Sequence, residues 1–83
     1  MNDSEIFEVI RKILCDILDK DDLVINLNSK IDQLENWDSL NFVKMVLALE
    51  TELNIRIMAS ELYEISTVSE LVTVCSSKLD CYG

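Results

Sequence analysis

The chain has no proline, and its one glycine is the last residue, Gly83. The usual punctuation of a β-rich fold is therefore missing, and so is any glycine-rich loop for cradling phosphate. It has no histidine, so neither a Ser–His nor a Cys–His nucleophile pair can be assembled. Bases are scarce, 7 against 16 acids, for a formal net charge of −9. That argues against nucleic acid as a partner, because phosphate contacts need clustered Lys and Arg. It argues equally against an anionic membrane surface. No apolar run approaches the length needed to span a bilayer. The start, Met1-Asn2-Asp3-Ser4-Glu5, has neither the basic n-region nor the apolar h-region of a signal peptide. Cys15, Cys75 and Cys81 are odd in number and lack paired metal-ligand spacing, so no zinc site follows. They read as reduced thiols in a cytoplasmic chain.

What is present is apolar residue at helical spacing. The 83 residues are 49% hydrophobic, enough for one small folded domain over residues 1–83 rather than a disordered segment. There are no repeats, low-complexity stretches or linkers. Ile6, Ile10, Ile13 and Ile17, flanked by Phe7, Leu14 and Leu18, recur on one face and predict a first helix over Glu5 to Leu18. Asn2 with Glu5 as a capping box, or Asp3 alone, closes its first turn. Arg11, Lys12, Cys15 and Asp16 lie away from the apolar face, which leaves Cys15 an ordinary exposed thiol.

Asp19-Lys20-Asp21-Asp22 then opens a long connection to Asn36. A calcium-loop reading fails, because Leu23 and Val24 stand where that loop needs an oxygen ligand and a glycine. A connection of this length must be pinned by its own apolar residues, and Leu23, Ile25, Leu27, Ile31 and Leu34 are the candidates. Leu23 to Leu27 resembles a strand that has no second strand to pair with. A short helical turn fits Ser29 to Leu34.

The second helix runs from Ser39 to Leu53. Asp38 is a good N-cap, since its carboxylate accepts from backbone N–H groups that the first turn leaves unpaired. Ser39 follows at the positive end of the helix dipole, where an anion such as a phosphate ester is favoured; serine at such a place is also simply part of the cap. Phe42, Met45, Val46, Leu49 and Leu53 form one apolar face, and Leu40, Val43 and Leu47 extend it further round. Only Asn41, Lys44, Ala48, Thr51 and Glu52 make a solvent-compatible strip. Leu40 and Leu47 therefore either stay partly exposed beside Ser39 for a partner to cover, or pad a tight core.

After Asn54 to Met58, the segment Ala59 to Glu64 forms a short third helix with Ser60 as cap, and Ile65 anchors to the core. Thr67 and Glu70 make a capping box for a fourth helix to about Leu79, burying Val68, Leu71, Val72, Cys75 and Leu79. Cys75 then behaves as a small hydrophobe, and the tail from Asp80 frays. Acid pairs such as Glu50 and Glu52 fall on a solvated helix with no cleft for acid–base work. The chain is thus not an enzyme by inventory.

Asp38-Ser39-Leu40, Val43, Ala48-Leu49-Glu50, Leu53-Asn54-Ile55-Arg56-Ile57 and Ile65-Ser66-Thr67-Val68 together resemble the acyl carrier protein family. The likeness runs from about Ile31 to Leu79. It implies an all-α, four-helix bundle with a long ordered loop between helices one and two and a short third helix. It implies that Ser39 carries 4′-phosphopantetheine, delivered covalently from coenzyme A by a phosphopantetheinyl transferase. The arm's thiol would hold acyl or aminoacyl groups as thioesters. Asp38 would orient the helix start for the transferase. Trp37, Leu40, Lys44 and Leu47 would face partners: a loading acyltransferase or adenylating ligase, then synthase or modifying enzymes. The carrier would be a monomer.

The family's second helix is read through acids and an apolar spot. Lys44 stands where fatty-acid carriers usually have an acid, Phe42 where they have a small polar residue, and Trp37 where they have a small one. The pattern is closer to a freestanding carrier of polyketide, nonribosomal-peptide or related specialised metabolism. A fatty-acid or D-alanyl/aminoacyl carrier is the alternative within the family. Outside it, the alternative is an unmodified helical domain that docks a partner through helix two.

Overall fold

The computed structural model describes residues 2–21, 23–34 and 37–82, with side chains described as far as Leu79. It is all-helical: α1 (Asp3–Leu18), α2 (Ser39–Leu53), α3 (Ala59–Leu62) and α4 (Val68–Tyr82). α1 starts two residues before the expected Glu5, because Asn2 is the cap. Asn2 Oδ1 accepts from the Glu5 N–H at 2.9 Å, and Glu5 Oε1 accepts from the Asn2 N–H at 3.2 Å. Two of the donors that every helix start leaves open are thereby matched.

α1 and α2 both end on a left-handed residue, and neither is glycine. Asp19 has φ 55°, Asn54 φ 54°. Short polar side chains tolerate this region better than others, and the turn lets following N–H groups reach back. The Lys20 N–H donates to the Cys15 carbonyl at 2.9 Å, and the Ile55 N–H to the Glu50 carbonyl at 3.2 Å.

The core is one cluster. α1 supplies Ile6, Ile10, Ile13 and Leu14; α2 supplies Met45, Val46, Leu49 and Leu53; α4 supplies Val68, Leu71, Val72 and Cys75. The long connection adds Ile25 and Ile31, and the chain between α2 and α4 adds Ile55, Ile57 and Ile65. Burial pushes the Cys75 thiol up to about 11, which keeps it neutral and inert. Cys15 is half-buried rather than exposed. Ala48, expected on the solvent strip, packs partly against the core, while Phe42 and Leu79, expected inside, are only half-buried.

The connection is pinned less evenly than its sequence suggests. Ile25 and Ile31 are buried and Leu23 and Leu34 half-buried, but Leu27 is exposed. Its backbone does the holding: the Ser69 N–H donates to the Leu27 carbonyl at 2.9 Å. No strand forms among the described residues. A lone antiparallel bridge pairs Lys30 with Thr67, the Ile31 N–H donating to Ser66 O at 2.9 Å and the Val68 N–H to Ser29 O at 3.0 Å. The expected turn is a 3-10 turn over Ile31–Gln33. Asp22, Glu35 and Asn36 lie outside the described residues.

α3 is capped at Met58, not at Ser60. Glu61 Oε1 accepts from the Met58 N–H at 3.0 Å and from Lys78 Nζ on α4 at 2.8 Å. The Lys78 and Met58 bonds hold the Glu61 carboxyl below its ordinary value. Thr67 caps α4 as expected. The Glu70 N–H donates to Thr67 Oγ1 at 3.2 Å, and Glu70 Oε1 accepts from the Thr67 N–H at 3.0 Å and the Ser66 hydroxyl at 2.7 Å. Those bonds hold the Glu70 carboxyl low as well. α4 continues to Tyr82, past the expected end at Leu79.

Candidate functional site

The site is the mouth of α2. Asp38 is extended, φ −148° and ψ −179°, which turns its side chain back over the helix start. Its Oδ1 accepts from the Asn41 N–H at 2.8 Å. Its carbonyl accepts from the Phe42 N–H at 3.1 Å. The first bond matches one of the donors that the helix start leaves open, and the second begins the regular helical pattern. Ser39 is the first helical residue, and its side chain is exposed. A primary alcohol thus stands in solvent at the positive end of a 15-residue helix, a setting that favours negative charge on that oxygen.

Trp37 precedes the cap residue of this mouth. It is half-buried, and its ring meets Phe42 edge-on, with centroids 6.4 Å apart at 81°. Such a pair fixes the approach of the chain into the helix. The Trp37 N–H donates to the Leu34 carbonyl at 3.1 Å, tying the mouth to the pinned connection.

Along the outer face of α2, Leu40 is 62% exposed, Val43 51% and Leu47 58%. Padding of a tight core is thereby set aside for Leu40 and Leu47. Lys44 is exposed among them, one turn from both Leu40 and Leu47, and has no ion pair or hydrogen bond among the described residues. Sequence reasoning brought Asp38, Ser39, Leu40, Lys44 and Leu47 together at one face, and the structure places them there. Val43, grouped with Leu40 and Leu47 by its spacing but not expected to be exposed, is exposed with them.

Glu50 was also misjudged. Expected on a solvated face, it is half-buried, and its Oε2 accepts from the Ile57 N–H at 2.9 Å. The carboxylate reaches across the chain reversal at Asn54 and fixes the segment that leads into α3. Among the described residues no group of three acid or cysteine side chains is placed to hold a metal ion. No helix there is long and apolar enough to cross a membrane.

A family model described as "Phosphopantetheine attachment site" matches residues 8–75. An acyl carrier protein of Petrotoga mobilis is 32% identical over 80 residues, 96% of this chain and 94% of that one. An acyl carrier protein of Picosynechococcus is 35% identical over 75 residues, 90% of this chain and 93% of that one. In fold, the chain matches a solution NMR structure of holo acyl carrier protein from Geobacter metallireducens. The TM-score is 0.83 at 22% identity, covering 92% of this chain and 87% of that one.

Proposed function

This chain belongs to the acyl carrier protein family and bears its 4′-phosphopantetheine covalently; from that premise we propose that the attachment residue is Ser39. As a family member the protein is a carrier and not a catalyst, acting with a phosphopantetheinyl transferase and synthase enzymes. One observation carries the assignment to Ser39. Its hydroxyl is exposed at the mouth of α2, at the positive end of the helix dipole, where a phosphate is favoured. The residues present fit the group: an accessible alcohol, an anion-favouring helix start, and no packed side chain over the oxygen.

In the attachment step Ser39 Oγ bonds to the phosphorus on the pantetheine side of coenzyme A. The pyrophosphate link breaks, the adenine nucleotide leaves, and the hydroxyl proton passes to the transferase. Asp38 keeps the first turn closed during this exchange, so that the hydroxyl is presented in one position. When bound, the group supplies a terminal thiol that holds acyl or aminoacyl cargo as a thioester. The protein's own contribution is tethering, which raises the effective concentration of cargo at each enzyme visited.

The carrier works as a cytoplasmic monomer, with residues 1–83 as one carrier domain. It serves polyketide, nonribosomal-peptide or related specialised metabolism, loaded by an acyltransferase or an adenylating ligase. Lys44, Phe42 and Trp37 support that choice over fatty-acid synthesis, since each departs from the pattern of fatty-acid carriers. Intact-mass measurement after co-expression with a broad-specificity transferase tests the attachment. The expected result is a gain of one phosphopantetheine group that disappears in Ser39→Ala. An unmodified chain, under conditions that convert a control carrier, would instead favour a helical interaction domain whose Ser39 only caps α2. Mass analysis of the loaded arm from the native host then reads the cargo class.

A further inference from the structure

The outer face of α2 is an apolar ridge carrying a single cation, on a chain of net charge −9. Leu40, Val43 and Leu47 expose more than half of their surface each. Lys44 stands among them, exposed. The first turn of α2 contains no acid. Asp38, just before it, has its carboxylate on the Asn41 N–H. The acids of α2 are Glu50 and Glu52, and Glu50 is taken up by the Ile57 N–H. By contrast residues 19–38 hold six acids, Asp19, Asp21, Asp22, Asp32, Glu35 and Asp38, against Lys20 and Lys30. From Leu40 to Leu47 the one charged residue is Lys44.

We infer that the ridge docks a partner protein whose complementary surface is an apolar depression bearing a carboxylate opposite Lys44, rather than a basic patch. The inference rests on the carrier reading and adds the chemistry of the partner. The apolar part follows from area: three neighbouring aliphatic side chains left in water on a small protein are a cost unless something covers them. The carboxylate follows from sign. As Leu40 and Leu47 are covered, Lys44 between them loses part of its water. An ammonium in that position requires an opposite charge, and a like charge facing it is strongly excluded. A basic docking surface would be steered toward the acidic connection and then meet Lys44 at the ridge. The lysine is therefore the residue that sets which synthase-type partners this carrier accepts.

Two synthetic amphipathic helical peptides test this. They share one apolar face and differ at a single central position of that face, glutamate in one and lysine in the other. Each is titrated into the full chain, before and after conversion by the transferase, while backbone amide shifts are followed by NMR. The glutamate peptide is expected to shift the amides of Leu40, Val43, Lys44 and Leu47 and to bind about fivefold more tightly than the lysine peptide. Lys44→Glu should reverse that order. Leu47→Gln, which keeps every charge, should weaken both peptides alike. Equal or tighter binding of the lysine peptide at this face overturns the inference, as does failure of both peptides to perturb α2. Mass conversion at Ser39 is read on the same samples. A chain that is modified but shows no charge preference loses only this inference, and a chain that is never modified loses the carrier reading.

Discussion

α1 and α2 bury inner faces of one kind and present outer faces of opposite kinds. Inside, Ile6, Ile10, Ile13 and Leu14 of α1 meet the same cluster as Met45, Val46, Leu49 and Leu53 of α2. Outside, α1 shows water Asp3, Glu5, Glu8, Lys12 and Asp16, with Arg11 paired to Glu8 at 3.1 Å. α2 shows it Leu40, Val43 and Leu47 around a lone lysine. Folding needs only the inner faces, so it explains α1 completely and leaves the outside of α2 unexplained. An aliphatic ridge that the bundle does not use is there for something beyond the bundle.

The largest effect that separates the two faces is on stability. Leu49→Ala removes a fully buried side chain and should cost about 2–5 kcal/mol in urea unfolding. Leu47→Ala, two positions away and exposed, should stay within about 0.5 kcal/mol. A large loss at Leu47 would mean that the ridge belongs to the core after all and would end the contrast.

A smaller effect tests what the helices share. Both start on a side chain that accepts a backbone N–H, Asn2 for α1 and Asp38 for α2. Asn2→Ala and Asp38→Ala should each cost about 1 kcal/mol, and Asp38→Asn much less, because an amide oxygen caps as well as a carboxylate does. Thermal unfolding of the three variants decides it. If Asp38→Asn were as damaging as Asp38→Ala, the charge rather than the cap would be what the mouth of α2 requires.

The smallest effect lies beyond both helices, where α3 and α4 are capped by acids instead of being wrapped in them. Glu61 and Glu70 are held below the ordinary glutamate value of 4.5 by the groups that donate to them. A carboxyl lowered on folding adds stability that is complete above its ordinary value and is lost as acidification passes through its lowered one. Melting temperature should therefore fall once the solution is taken below 4.5, and Glu70→Gln should flatten that fall. An unchanged slope in the variant would show that these caps do not contribute to the acid sensitivity.

How far the sequence could be read follows the range of the interaction concerned. The inner faces of α1, α2 and α4, the Thr67–Glu70 box and the cap at Asp38 all depend on residues three or four apart, and all were legible. The mouth of α2 was legible for the same reason, since Asp38 caps the helix that carries Ser39, Leu40, Lys44 and Leu47. Glu50 was not. Its partner, the Ile57 N–H, lies seven residues on and comes within reach only because Asn54 turns the chain left-handed. Leu27 was misread because its side chain is apolar, while the structure uses only its carbonyl. Cys15 and Ala48 sit at the margins of their helical faces, where rotation about the axis by a fraction of a turn decides exposure.

The bridge between Lys30 and Thr67 carries a kinetic consequence. It joins two places far apart along the chain by two backbone hydrogen bonds, beside the buried side chains of Ile31 and Val68. Closing so wide a loop brings little reward until the helices it spans are in place. The clasp therefore forms late when the protein refolds and opens early when it breathes, and the amide protons of Ile31 and Val68 should exchange with solvent long before those of Met45 and Leu49.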